Sequence, residues 1–320
     1  MDNSIDALLN SLMDEIKGKP VKRPEKFGVV LAGGGGKGAY EIGALAALKE
    51  IGVLKDVVAV SGNSIGSVNL SFIASDTLDE AKELWENIQV SDFIEFDDNG
   101  FDITKEGDGI FSREGLKRML EGHSDFKKMS ESDIHFYITV CTKDENGGIK
   151  TEYVLVNGKS PELIEGYVLA SSAIPIVYDA VELEGKKYFD GGLGDNTPIK
   201  PLVDEGIKDI IVISLDSLYK IDTSKYPGVN FYTIVPSHTL EIGAVLGTVD
   251  LSKANSIYRY KLGYLDAKMI INAYLNGKAV PDLSGNHVMA SQDLNRAKLK
   301  SSVDDNLAGL ARILGTTDIL

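Results

Sequence analysis

Short apolar runs rich in β-branched residues alternate with longer stretches of helical spacing along this chain. Phe27-Gly28-Val29-Val30-Leu31 and Val57-Val58-Ala59-Val60 are each bounded by turn residues and predict buried parallel strands. Behind them, Ala39 to Lys49 has Ile42, Leu45, Ala46 and Leu48 as an apolar stripe, and Ile65 to Ser75 is apolar enough to open a second helix. Strands are expected at 27–32, 57–61, 134–141, 149–156, 186–189, 209–215 and 230–235. Between 134–141 and 149–156, Asp144-Glu145-Asn146-Gly147-Gly148 reads as a hairpin loop, so that pair is antiparallel. The expected fold class is α/β, a mostly parallel central sheet sandwiched between layers of helices.

Three segments lie outside this rhythm. Residues 1–19 place Ile5, Leu8, Leu9, Leu12, Met13 and Ile16 on one helical face, ahead of a Lys- and Pro-rich link through Pro24. Such a helix packs on its own domain, binds a partner subunit or lies on a membrane surface. Residues 88–111 mix acids and glycines with Phe93, Phe96, Phe101 and Phe111, the composition of a mobile lid or of a connecting segment pinned by core aromatics. Helical patterning near 240–276 and 293–314 closes the domain or forms an oligomer interface. The expected division is a helical extension at 1–25, a main domain at 26–280 and a second helical extension at 281–320.

The candidate chemistry sits where strands end. Gly62-Asn63-Ser64-Ile65-Gly66 falls between a strand and a helix, where a serine must adopt a strained backbone. Gly62 and Gly66 remove the side chains that would collide there; the motif reads either as a plain tight turn or as one that exposes Ser64 as a nucleophile, with the Ile65 amide free to face a developing negative charge. Gly33-Gly34-Gly35-Gly36-Lys37-Gly38 also follows a strand and precedes a helix, so its amides form a cradle for anionic oxygen. The same run satisfies a dinucleotide pattern, but the acidic residue that should close the second strand is absent: Asp56 precedes that strand instead. A P-loop is excluded because Gly38, rather than Ser or Thr, follows the lysine. Asp190 follows the short strand Lys187-Tyr188-Phe189 and precedes Gly191 and Gly192, which let the backbone pass close to another segment. Taken alone, Asp190 before Gly-Gly reads as a turn aspartate; its free pKa, near 4, makes it a poor base until burial and a hydrogen bond tune it. Lys37 opposes the helix dipole, and contacts substrate, is a solvated first-turn residue, or pairs with a carboxylate such as Glu41 at i+4.

Together with Ala170-Ser171-Ser172-Ala173-Ile174-Pro175, these three motifs occur in the order found in the patatin-like phospholipase family, and the chain resembles that family over roughly residues 26–215. The resemblance implies a three-layer fold and a serine–aspartate dyad: Ser64 as nucleophile, Asp190 as general base, and amides around Gly34, Gly35, Gly36 and Ile65 as the oxyanion hole. It further implies hydrolysis of lipid acyl esters, of the phospholipase A or lysophospholipase type, through an acyl-serine, with no cofactor. Two alternatives are acyl transfer on the same site and a lipid-binding module without turnover. The rival within hydrolases is a Ser-Asp-His triad; of His123, His135, His238 and His287, only the last two follow Asp190, and His238 lies after a strand-like run.

Composition narrows the setting. The 320 residues are 43% hydrophobic, enough for one large core. A formal net charge of −15 argues against nucleic acid as a partner and against electrostatic docking on anionic membranes. A lipid or lysolipid substrate is then reached as a monomer or through apolar peripheral contact with a membrane. The single cysteine, Cys141, excludes an intrachain disulfide and falls in a strand-like run, as a core thiol would. The N-terminal stretch carries Asp2, Asp6, Asp14 and Glu15 without a continuous apolar core, no stretch approaches a transmembrane span, and a cytoplasmic location is expected. No His/Cys/Asp spacing suggests a zinc or EF-hand calcium site.

Overall fold

A computed structural model describes residues 24–88, 95–96, 109–240 and 252–276. The N-terminal segment, the stretch at 293–314 and most of 88–111 lie outside the described residues. Each run read as a strand is one. β1 (Phe27–Leu31) is followed by a 3-10 turn (Gly35–Gly38) and α1 (Ala39–Ile51); β2 (Val57–Asn63) is followed by α2 (Ile65–Ser75) and α3 (Leu78–Asn87). β3 (Glu95–Phe96) and β4 (Gly109–Ser112) precede α4 (Glu114–His123) and α5 (Phe126–Ser130). β5 (His135–Lys143) and β6 (Ile149–Leu155) form the expected hairpin, and α6 (Pro161–Ser171) follows. The remainder is β7 (Ile176–Tyr178), β8 (Val181–Leu183), β9 (Lys186–Asp190), α7 (Lys200–Asp204), β10 (Asp209–Ile213), β11 (Asn230–Ile234) and α8 (Lys253–Leu275).

The main sheet runs in the order β11-β10-β1-β2-β5-β9-β8, with β6 also on β5. The pairs among β11, β10, β1, β2 and β5 are all parallel, whereas β6, β8 and β9 are added antiparallel. Five buried positions in a row in β1 reflect coverage on both faces, which is why that strand lacks the alternation of a half-exposed one. One face packs on α1–α6 and α8 through a large cluster that includes Leu31, Leu45, Val60, Phe72, Trp85, Phe136 and Ile270. The other face is covered more thinly, by Ile199 and Leu202 at α7 and by Tyr219, Ile221 and Tyr226 from the β10–β11 connection. β3, β4 and β7 make a second, three-stranded sheet.

Two neighbours along β5 position the site. Residues 135–139 of β5 pair with the end of β2, Asn63 lying opposite Thr139. The next two residues pair with β9, Val140 opposite Asp190 and Cys141 opposite Phe189. Because β6 occupies the other edge of β5 over Tyr137 to Lys143, β2 and β9 must share one edge, end to end. The C-terminus of β2 and the C-terminus of β9 therefore meet head-on, which brings Asn63 and Ser64 beside Asp190 across 126 residues of sequence.

α8 seals the helical layer by packing against α1 with almost no separation between backbones. A Cβ on Gly43 would overlap the carbonyl of Tyr260, and one on Gly263 would overlap that of Tyr40. The same crossing buries a polar link: Tyr40 Oη donates to Asp266 at 3.0 Å, and the Ser237 amide donates to the same oxygen at 2.9 Å. In an isolated helix, alanine is favoured over glycine by about 1 kcal/mol. Here the sign is expected to reverse: Gly43→Ala and Gly263→Ala should each destabilise by about 1–3 kcal/mol or more from overpacking, read as a lower urea midpoint at unchanged slope.

Candidate active site

Ser64 occupies the one-residue turn between β2 and α2 with φ 51° and ψ −122°, a conformation costly for a residue with a side chain. Its neighbours make that turn feasible. A Cβ on Gly62 would press on the Gly66 carbonyl at 2.6 Å, and one on Gly66 would run into the carbonyls of Leu31 and Ala32. The Ser64 amide is captured at 2.8 Å by Ser171 Oγ, which in turn donates to the Thr139 carbonyl at 2.7 Å. At the start of α2 the Ile65 amide has no partner among the described residues, as expected of a first-turn donor.

Asp190 ends β9 and is 6% exposed. Its amide donates to the Ala173 carbonyl at 2.9 Å, so the Ala170–Pro175 segment holds both Ser64, through Ser171, and Asp190. Burial pushes the Asp190 carboxyl up to about 6, against the opposing effects of hydrogen bonds from the Ser64 hydroxyl, the Gly192 amide and the Asn63 side chain. The Gly192 amide lies 2.7 Å from Oδ1. Gly191 is needed for the same close approach, since a Cβ there would overlap Asn63 Oδ1 and meet the Thr139 carbonyl at 2.5 Å.

The glycine loop lies alongside. Gly33 is joined to Asn196 in both directions, its amide donating to the Asn196 carbonyl and its carbonyl accepting from Asn196 Nδ2, each at 3.0 Å. Asn63 Nδ2 reaches Asn196 Oδ1 at 3.0 Å, which ties the loop to the β2 turn. A Cβ on Gly33 would be 3.2 Å from Ser64 Cβ, so the loop and the serine are in direct contact. The amides of Gly34, Gly35 and Gly36 have no partner among the described residues. With the Ile65 amide they constitute four donors, on the loop that touches Ser64 and at the start of the helix that follows it, near a buried carboxyl whose proton affinity the Ser64 hydroxyl lowers. Such a set is able to activate an alcohol and to stabilise an oxyanion.

The sequence reading placed Ser64, Asp190, Gly33–Gly38, Ile65 and the flanking glycines in this cluster, and the structure brings them together. Asn63, Asn196, Ser171 and Thr139 escaped it. Ser171 belongs to a segment singled out only for its resemblance, and Asn63 lies inside the Gly62–Gly66 motif with no role that its spacing assigns. Asn196, six residues beyond Asp190 in a turn, offers no signal in one sequence. The pairing suggested between Lys37 and Glu41 is not what Glu41 does. It is fully buried, its Oε2 accepts from Asn69 Nδ2 at 2.8 Å, and burial holds its carboxyl well above the usual carboxylate range. Asn69 also donates to the Gly38 carbonyl at 3.1 Å and accepts from Trp85 Nε1 at 3.2 Å.

The described histidines stand elsewhere, and His287 lies outside the described residues. His135 begins β5, at the end of the sheet opposite Ser64, and pairs with Glu205 at 2.7 Å. His123 faces Glu80 at 3.6 Å. His238 contacts Ser237 Oγ at 3.2 Å and acts on Asp266, whereas the Ser64 hydroxyl is bonded to Asp190. Cys141 is a core thiol, fully buried and aimed at the Gly191 carbonyl at 3.4 Å. Among the described residues, no group of His, Cys, Asp and Glu is arranged to hold a metal ion, and no helix is long and apolar enough to cross a membrane.

Comparison with known proteins bears on the family and the fold. A lysophospholipase (NTE1) of Cryptococcus neoformans is 29% identical over 199 residues, 61% of this chain and 11% of the relative. The neuropathy target esterase sws of Drosophila melanogaster is 26% identical over 204 residues, 62% of this chain and 14% of the relative. The chain thus matches only about a tenth of the length of these curated relatives. VipD from Legionella pneumophila shares the fold, with a TM-score of 0.52 at 14% identity, covering 95% of this chain and 86% of that one. The profile of the patatin-like phospholipase family matches residues 29–203, more than half of the sequence, and contains Ser64, Asp190 and the glycine loop; the chain belongs to the patatin-like phospholipase family.

Proposed function

We propose that this protein is a serine hydrolase of lipid acyl esters, of the phospholipase A or lysophospholipase type. The observation that carries the reading is the placement of Ser64 beside the buried Asp190, whose proton affinity it lowers, next to a glycine loop whose Gly34–Gly36 amides, like that of Ile65, have no partner among the described residues. Ser64 Oγ attacks the ester carbonyl while Asp190 takes its proton, and the tetrahedral oxyanion is held by amides of Gly34–Gly36 and Ile65. The proton passes from Asp190 to the leaving alcohol as the C–O bond breaks, leaving an acyl-serine. Water, deprotonated in turn by Asp190, attacks that ester; collapse releases the fatty acid and returns the proton to Ser64. A strained serine turn is consistent with this role, because its cost of about 1–3 kcal/mol serves no packing purpose at the site. The lysophospholipase and esterase names of the relatives favour lipid esters as the substrate class.

Mass spectrometry after exposure to a fluorophosphonate tests the nucleophile: wild type should gain one adduct, Ser64→Ala none, and Asp190→Asn should label at least about a hundredfold more slowly. Labelling that persists in folded Ser64→Ala would place the nucleophile elsewhere.

The base makes a pH prediction with a definite sign. Asp190 must be ionised to accept a proton, so kcat/KM for an activated ester should rise with pH through about 6 and then level off. A histidine base would titrate in the same range, so His238→Ala is the control: it should retain wild-type kcat within about twofold, and loss of turnover in a folded variant would favour a triad.

Asp190 also links activity to stability. Its carboxyl in the folded protein, at about 6, lies above the ordinary 3.8, so its contribution is fully present below about pH 4 and is lost as pH rises through 6. Asp190→Asn should therefore abolish turnover yet exceed wild type in stability by roughly 2–3 kcal/mol at pH 8. The advantage should vanish near pH 4; urea titrations at the two pH values measure it.

A further inference from the structure

The carbonyls of the glycine loop account for the direction of its free amides. Gly33 O accepts from Asn196 Nδ2 at 3.0 Å, Gly34 O from the Lys37 amide at 3.2 Å, and Gly38 O from Asn69 Nδ2 at 3.1 Å. Gly36 O accepts from Arg259 Nη1 at 3.0 Å. In a planar trans peptide the C=O and the following N–H point in opposite directions, so fixing a carbonyl fixes the next amide. Holding Gly36 O sends the Lys37 N–H back to Gly34 O, and holding Gly34 O turns the Gly35 N–H the other way. Arg259 thus sits at the head of a short chain of peptide planes that ends at the Gly35 amide.

Arg259 is built for a fixed position. It is completely buried, on α8, which the glycine contacts Gly43 and Gly263 press against α1. The guanidinium also donates to the Leu240 carbonyl twice, through Nε at 3.2 Å and Nη2 at 2.9 Å, so among the described residues three bonds to two backbone oxygens set its plane. A planar fork with five donors can bridge two carbonyls in this way, and a lysine ammonium on a flexible stem cannot hold the same geometry. α8 begins 50 residues after the family profile ends at 203, so the profile supplies the loop but not this anchor.

We propose that Arg259 is a positioning residue for the oxyanion hole: from α8 it holds the Gly36 carbonyl so that the Gly34–Gly36 amides face the reacting carbonyl. It touches no substrate and acts through the loop. The inference rests on the serine hydrolase reading above. Its specific content is that losing Arg259 weakens binding of the tetrahedral species while binding of the ground-state ester is unchanged.

Arg259→Lys and Arg259→Ala, with folding checked by circular dichroism and urea titration, are to be assayed on p-nitrophenyl butyrate and inhibited with an alkyl trifluoromethyl ketone. The ketone adds to the serine and places an oxyanion in the hole. For either folded variant we expect kcat to fall by about tenfold or more, approaching the roughly hundredfold loss of a whole donor, with KM within about twofold. The inhibition constant of the ketone should rise in step with the loss in kcat/KM, and ethylguanidinium should partly restore Arg259→Ala. Should Arg259→Ala fail to fold, Arg259→Lys, which retains the charge and loses the fork, is sufficient. A folded Arg259→Lys with a lowered urea midpoint but wild-type kcat and ketone affinity would show a purely structural role and overturn the proposal. Failure of wild type to label with fluorophosphonate or to turn over ester would overturn the hydrolase reading and this inference with it, whereas active wild type and unchanged variants would overturn only the role of Arg259.

Discussion

The end-to-end meeting of β2 and β9 on one edge of β5 is the constraint from which the site follows. β5 is nine residues long, and β2 uses only its first half; the remaining edge accepts β9 from the opposite direction. Each strand terminates where the other does, so their last residues are neighbours, and the residues that leave the sheet there are Ser64 and Asp190. A serine and a carboxylate 126 positions apart thereby meet, Asp190 in the ladder with Val140 and Ser64 directly after Asn63, which is paired with Thr139. The Ala170–Pro175 segment adds the cross-tie, with Ser171 on the Ser64 amide and Ala173 on the Asp190 amide.

This arrangement opposes stability in two places. Ser64 is held at a positive φ, and Asp190 is kept from water with no cation among the groups that set its proton affinity. The burial effect exceeds the combined influence of three hydrogen bonds, which is why the carboxyl stands near 6 rather than below 4. That value suits a base acting near neutral pH, since a carboxylate with ordinary affinity would hold the serine proton too weakly. Surrounding groups limit the cost: Gly62, Gly66 and Gly191 remove clashes, and Asn63 and Asn196 tie the loops together.

Much of the fold was legible because β1, β2, β5, β10 and β11 are apolar runs bounded by turns, a local signal. So was the position of the candidate site, since glycine spacing around Ser64 and Asp190 records close backbone approaches that only glycine allows. β7 and β8 were missed because three residues are too few to show alternation, and the second sheet went unseen with them. Asn63, Asn196 and Arg259 act through side-chain bonds to distant backbone, which leaves no period or spacing in the chain. For Glu41, the i+4 spacing suggested Lys37 as a partner. The tertiary burial of α1 turned that side chain inward to Asn69 instead. The N-terminal amphipathic stretch, the stretch at 293–314 and most of 88–111 remain expectations outside the described residues.

The most direct test of the account is a crystal structure of the protein with a fluorophosphonate bound. The account predicts phosphorus on Ser64 Oγ, the phosphoryl oxygen within about 3 Å of amides from Gly34–Gly36 and Ile65, and an Asp190 carboxylate oxygen beside Oγ. A phosphoryl oxygen turned to solvent, with the glycine-loop amides occupied by other groups, would contradict it.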